Sequence, residues 1–146
     1  MFGVMLFSHL TGLFIWIGSL FATIVMLLML KKQISSQESK ALAQRIIKVF
    51  SWFAHPGSVV VLASGVFMIV QLGLSSDKPF WLSAMEKGGG MIVLLSLILT
   101  GIWGGKVKKQ LRAGQGHNVK LTGYLTMMSI IVILIILIML IVSMKI

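Results

Sequence analysis

Four long apolar runs, at about 4–30, 49–74, 88–105 and 121–144, alternate with short polar segments along the chain. Each is close to the ~20 residues that cross a bilayer's hydrocarbon as a helix. The pattern predicts an all-α membrane protein, a bundle of four transmembrane helices forming one domain over residues 1–146. The first run is too long for a signal-peptide core, lacks a basic start and shows no small-residue cleavage site before Lys31. It reads as a retained span. Next, Ser35-Ser36-Gln37-Glu38 has the form of a capping box and leads into a helix-forming segment through Lys48. The second helix is therefore expected to start before the membrane and continue into it. The segment SSDKPFWLSAMEKGGG reads as an outer loop with Pro79 and Trp81 at the interface. Gly88, Gly89 and Gly90 then mark a flexible or closely packed start to the third helix, and Gly114 and Gly116 a turn before the fourth.

The faces that pack also follow from spacing. His9, Gly12, Trp16, Ser19 and Thr23 share one stripe of the first helix, and small, weakly polar residues there let helices approach closely. The third helix offers Ser96, Thr100 and Gly104, with Gly101 and Gly105 beside them. The fourth begins with Thr122, Gly123, Thr126 and Ser129 and is aliphatic from Ile130 to Val142, a stretch expected to face lipid over much of its surface.

Composition agrees with a membrane protein: 58% of 146 residues are hydrophobic, more than a soluble domain of this size can hide. The net charge of +10 is unevenly placed. Lys31, Lys32, Lys40, Arg45 and Lys48 lie in one loop, and Lys106, Lys108, Lys109, Arg112 and Lys120 in another. By the positive-inside rule both loops are cytoplasmic and both termini face outward, in a multi-pass protein of the cell (plasma) membrane. Anionic lipids of the inner leaflet are their expected partners. No aromatic interleaving accompanies the charge, so nucleic acid is not expected. With no cysteine, thiolate metal sites and iron–sulfur clusters are excluded.

Few residues can carry chemistry. Glu38, Asp77 and Glu86 all fall in loops or interfaces, which argues against a carboxylate-based pump. No nucleophile–base pair or phosphate loop is visible. His9 stands within the first helix, seven residues before Trp16 and so on the same face. A neutral imidazole there can ligate haem iron or copper, exchange protons, or brace two helices through a hydrogen bond. Met5, one turn earlier, is a soft second ligand or a packing residue. His55, a weaker metal candidate, precedes Pro56, which removes a helical hydrogen bond, and can instead satisfy a backbone group that the proline frees. Placed toward opposite leaflets, His9 and His55 would be roughly 20 Å apart along the membrane normal, too far for one haem within one chain. Lys87 is either an interfacial lysine reaching for headgroups or a partner at the level of His9. His117 reads as solvated, and Trp52, Trp81 and Trp103 as interfacial belt residues. Met26 and Met29 hint at a copper path without a histidine near them.

His9-x6-Trp16-x-Gly18, then Pro56-Gly57 with Gly65, then Trp81-Leu82 and Lys87, follow one another in a pattern over roughly 1–105. In this the chain resembles the membrane superfamily of CopD-type copper-resistance proteins and HemJ-type protoporphyrinogen oxidases. The resemblance implies a four-helix core, often oligomeric, in which His9 and Lys87 are the functional pair; in the HemJ-type branch these positions are associated with haem. Two departures stand out. Val25 occupies the place of an arginine in the HemJ-type branch, and Trp81-Leu82 lies farther from Lys87 than the corresponding pair does there. The tryptophan-x-glycine pattern is nearer the CopD side.

The expectation is therefore a haem-b-binding membrane protein, with His9 an axial ligand and Lys87 a second ligand or propionate clamp. Trp16 and Gly12 would shape a pocket between the first three helices, open to the outer leaflet. A redox-active form, HemJ-like oxidoreductase activity among the options, would work with quinone or a porphyrinogen, and a homodimer is expected. The alternatives are copper transport or handling through Met5 and His9, and a non-catalytic scaffold braced by its histidines.

Overall fold

A computed structural model describes residues 1–34, 36–73, 79–113 and 121–145. Helix α1 spans Phe2–Lys31, α2 Gln37–Leu72 and α5 Leu121–Met144. The third rod is compound: α3 (Phe80–Ser83) passes through a π-helical turn (Ala84–Gly89) into α4 (Gly90–Arg112). These four rods are each long and apolar enough to cross a membrane, so the all-α, four-span architecture stands. Asp77, Lys78, Gly114, Gly116, His117 and Lys120 lie outside the described residues.

Two local expectations are corrected and a third is narrowed. The N-cap of α2 is Ser36, whose Oγ accepts from Ser39 N–H at 3.1 Å, so the cap sits one residue later than a box beginning at Ser35. Phe80 to Gly89, read as loop, is helical; Pro79 fixes its start, its fixed φ suiting the residue just before the first turn. Of the two readings of Gly88, Gly89 and Gly90, a flexible or a closely packed start, the second holds. All three sit within the compound rod, and a Cβ on Gly88 would stand 3.1 Å from Ile138 Cδ1, so the rod rests closely on α5 there. At the far end of α2, Gly73 closes the helix at φ 55° and returns its N–H to the Val70 carbonyl.

The helices form a ring. α1 adjoins α2 and α5, while α4 adjoins α2 and α5; α1 and α4 stand diagonally across the bundle. The tightest seam is α1 against α2. A Cβ on Gly12 would lie 3.0 Å from the Gly57 carbonyl oxygen, and one on Gly57 3.1 Å from Trp16 N. Only glycine lets the two backbones meet this closely. Around this seam Trp16, Leu20, Leu27 and Ile47 are buried, and they join Leu111, Tyr124 and Met128 in one core. Gly12, Trp16, Ser19 and Thr23 are all buried, as their stripe predicts.

Buried hydroxyls mostly bond within their own helix. Ser19 donates to Ile15 O at 2.6 Å, Thr23 to Ser19 O at 2.7 Å, Ser58 to His55 O at 2.8 Å and Thr100 to Ser96 O at 2.6 Å. This is how a polar side chain is satisfied where no water reaches. Ser96 Oγ is the exception among the described residues: it is buried and makes no hydrogen bond.

The fourth span departs from its predicted packing. Its buried positions are Leu121, Tyr124, Leu125, Met128, Ile131, Val132 and Ile135, whereas Thr122, Gly123 and Thr126 are exposed. The large residues win the inward face because they remove more area from the lipid side and fill the space beside Gly104, where Tyr124 packs. Farther along, Ile133, Leu134, Ile136 and Leu137 are exposed, as an aliphatic lipid-facing surface requires.

Candidate functional site around His9

His9 projects from α1 onto α2. Its Nδ1 lies 3.0 Å from the Val61 carbonyl oxygen and 3.0 Å from Ser64 Oγ. The polarity of this contact follows from its partners. A carbonyl can only accept, and the Ser64 hydroxyl already donates its proton to Val60 O at 2.5 Å. Nδ1 therefore carries the hydrogen and donates, and in the neutral ring Nε2 keeps its lone pair. No hydrogen bond reaches Nε2 among the described residues. Gly65 makes room for the ring: a Cβ there would stand 3.4 Å from Cε1.

One ring nitrogen bonded to a backbone carbonyl and the other without a hydrogen bond is the pattern an imidazole metal ligand shows. His9 is the side chain that would hold a haem or a metal ion here. It also links α1 to α2, and so serves as a brace whether or not a ligand binds. Met5, one turn before His9, is half-buried.

Lys87 is exposed on the π-helical turn. That turn packs on α2, α3, α4 and α5, not on α1, so the chain by itself does not bring Lys87 beside His9. Gly12 and Trp16 are adjacent to the site but serve the α1–α2 crossing, where both are buried. A groove of about 310 Å³ runs along the α1–α2 seam, lined in part by Gly12. A second groove, about 520 Å³, runs between α4 and α5 beside Trp103, Thr122 and Thr126.

His55 lies elsewhere. Its Nδ1 donates to the Ser51 carbonyl at 2.6 Å, and its Nε2 faces Gly101 of α4. It does bond a backbone carbonyl, but that of Ser51; the carbonyl stripped of its donor by Pro56 belongs to Trp52, one residue later. His9 is level with Val61 and Ser64, six to nine residues beyond His55, which corresponds to about 9–14 Å of helix rise. The two histidines are thus closer than their opposite-leaflet placement implied, because α1 reaches deep along α2. They remain too far apart to share one iron.

Among the described residues no group of three or more His, Cys, Asp or Glu side chains gathers as a metal cage. The partners of His9 on α2, Val61 and Ser64, were not singled out in the sequence. The available signal was the small pair Ser64-Gly65, which opens space on α2 for a ring from α1. Compared with known proteins, the chain matches no family model, no curated protein and no solved structure.

Proposed function

We propose that this chain is a haem-b-binding integral membrane protein in which His9 is an axial ligand. The observation that carries the reading is the His9 ring itself, held at Nδ1 by the Val61 carbonyl and Ser64 Oγ and unpartnered at Nε2. A haem held there supplies one-electron redox chemistry, with quinone or a porphyrinogen as the matching partner. The chain's own part is to fix the tautomer and aim of His9 and to exclude water through the close α1–α2 seam. Lys87 enters as a cation available to a propionate; it is exposed on a turn that does not contact α1, so in this reading a homodimer would bring it to the site of a second copy. The orientation that goes with this reading puts the basic loops in the cytoplasm and both termini outside.

The test is the haem b extracted per mole of detergent-purified protein. Wild type should approach one per chain or one per pair of chains. His9→Ala should retain almost none, and Lys87→Ala an intermediate amount. A colourless wild type expressed with ample haem, or full haem in His9→Ala, refutes the assignment. Stoichiometric copper(I) on that colourless protein, lost on replacing Met5 and His9, would put the site to copper handling instead. A second reading, a scaffold without cofactor, is favoured by the same two hydrogen bonds, since they join α1 to α2 with no ligand at all. It predicts that His9→Ala lowers the melting temperature and changes nothing else.

A further inference from the structure

We infer that the α1–α2 groove is a binding site for one anionic phospholipid, its acyl chain in the groove and its phosphate on Arg45 and Lys48. The inference is independent of haem. The groove, about 310 Å³, is lined by Phe7 and Thr11 of α1 and by Trp52, Phe53, Pro56 and Val60 of α2. All six are exposed, on helices long and apolar enough to cross a membrane. A volume of this size suits one chain of a lipid.

The charge is at one end only. Going back along α2 from Val60, the exposed positions Pro56, Trp52 with its neighbour Phe53, Val49 and Arg45 follow at three- and four-residue spacing, a continuous stripe. Lys48, also exposed, lies one turn before Trp52, and Arg45 a further turn back. Helix rise puts the two cations about 6 Å and 10 Å from Trp52. Neither Arg45 nor Lys48 is paired with a carboxylate among the described residues. The groove's α1 end, by contrast, carries Phe7, Ser8 and Thr11 and no charge. A ligand that matches this polarity has an anionic head and an apolar tail. Two features add to the head end. Trp52, 75% exposed, is the amphipathic ring that settles at the headgroup level. Pro56 has no N–H, so the Trp52 carbonyl beside it lacks its helical donor and can accept from a headgroup hydroxyl or amine.

The experiment is native mass spectrometry of the full chain released from detergent containing equal phosphatidylglycerol and phosphatidylcholine. Wild type should keep one phosphatidylglycerol in preference to phosphatidylcholine by about thirtyfold, the value two interfacial cations correspond to. Arg45→Gln with Lys48→Gln should bring that preference close to parity, both positions being exposed and dispensable for packing. Lys106→Gln with Lys109→Gln, exposed cations on α4, should leave it unchanged. Thr11→Phe, which fills the groove, should lower retention of both lipids. Equal retention of the two lipids by wild type overturns the proposal. So does a preference that survives loss of Arg45 and Lys48, or one that Lys106 and Lys109 carry equally, which would mean diffuse attraction to a basic end.

Discussion

The α1–α2 seam and the α4–α5 seam are built from the same kinds of residue and come out differently. Both carry glycines and small hydroxyl side chains at helical spacing. On the first seam Gly12 and Gly57 face each other and the backbones meet. On the second, Gly123 faces the Trp103 ring, which would lie 3.5 Å from a Cβ there, and a groove of about 520 Å³ stays open beside it. Two backbones meet where small residues face each other, as Gly12 and Gly57 do. The close seam is also where His9 is held, so the approach of α1 to α2 and the aim of the imidazole are one structural fact.

The largest effect should come from filling the close seam. Gly57→Ala puts a Cβ against Trp16 N and the Gly12 carbonyl, backbone that cannot swing aside. It is expected to cost about 2–3 kcal/mol of stability in detergent unfolding, the upper range for overpacking. Next, His9→Ala should cost about 1 kcal/mol, since interhelical hydrogen bonds in membranes average about 0.6 and reach about 1.7 kcal/mol. Ser96→Ala should move in the other direction. Removing a buried hydroxyl that has no partner relieves a desolvation cost, so a gain of up to about 1 kcal/mol is expected in the same measurement. Smallest of all, Gly123→Ala on the open seam should fall within about 0.5 kcal/mol of wild type. If Gly123→Ala were as damaging as Gly57→Ala, the contrast between the seams would be lost.

What the sequence made legible is the part that composition and period control. The four spans and the buried stripe from Gly12 to Thr23 follow from apolar length and three- to four-residue spacing. The Thr122–Thr126 stripe misled, because spacing reports which residues share a face and not which face wins. Tyr124, Leu125 and Met128 claimed the interior by bulk. The segment before α4 was misread for a related reason: proline and three glycines resemble a loop, yet Pro79 opens a helix and the glycines admit Ile138. At the site, His9 was visible as a titratable residue in an apolar run. Its partner set was not, since a backbone carbonyl of Val61 leaves no mark in a sequence and Ser64 is one serine among many.

The distinction that matters most is whether His9 is a ligand or only a brace, and the visible spectrum separates the two. The measurement is the oxidised and dithionite-reduced absorption spectrum of wild type, Ser64→Ala and His9→Ala, purified in detergent after expression with ample haem. A Soret band in wild type that persists in Ser64→Ala, disappears in His9→Ala and returns when imidazole is added to that variant is the predicted result. A flat spectrum in wild type, or a Soret band in His9→Ala indistinguishable from that of wild type, would contradict it.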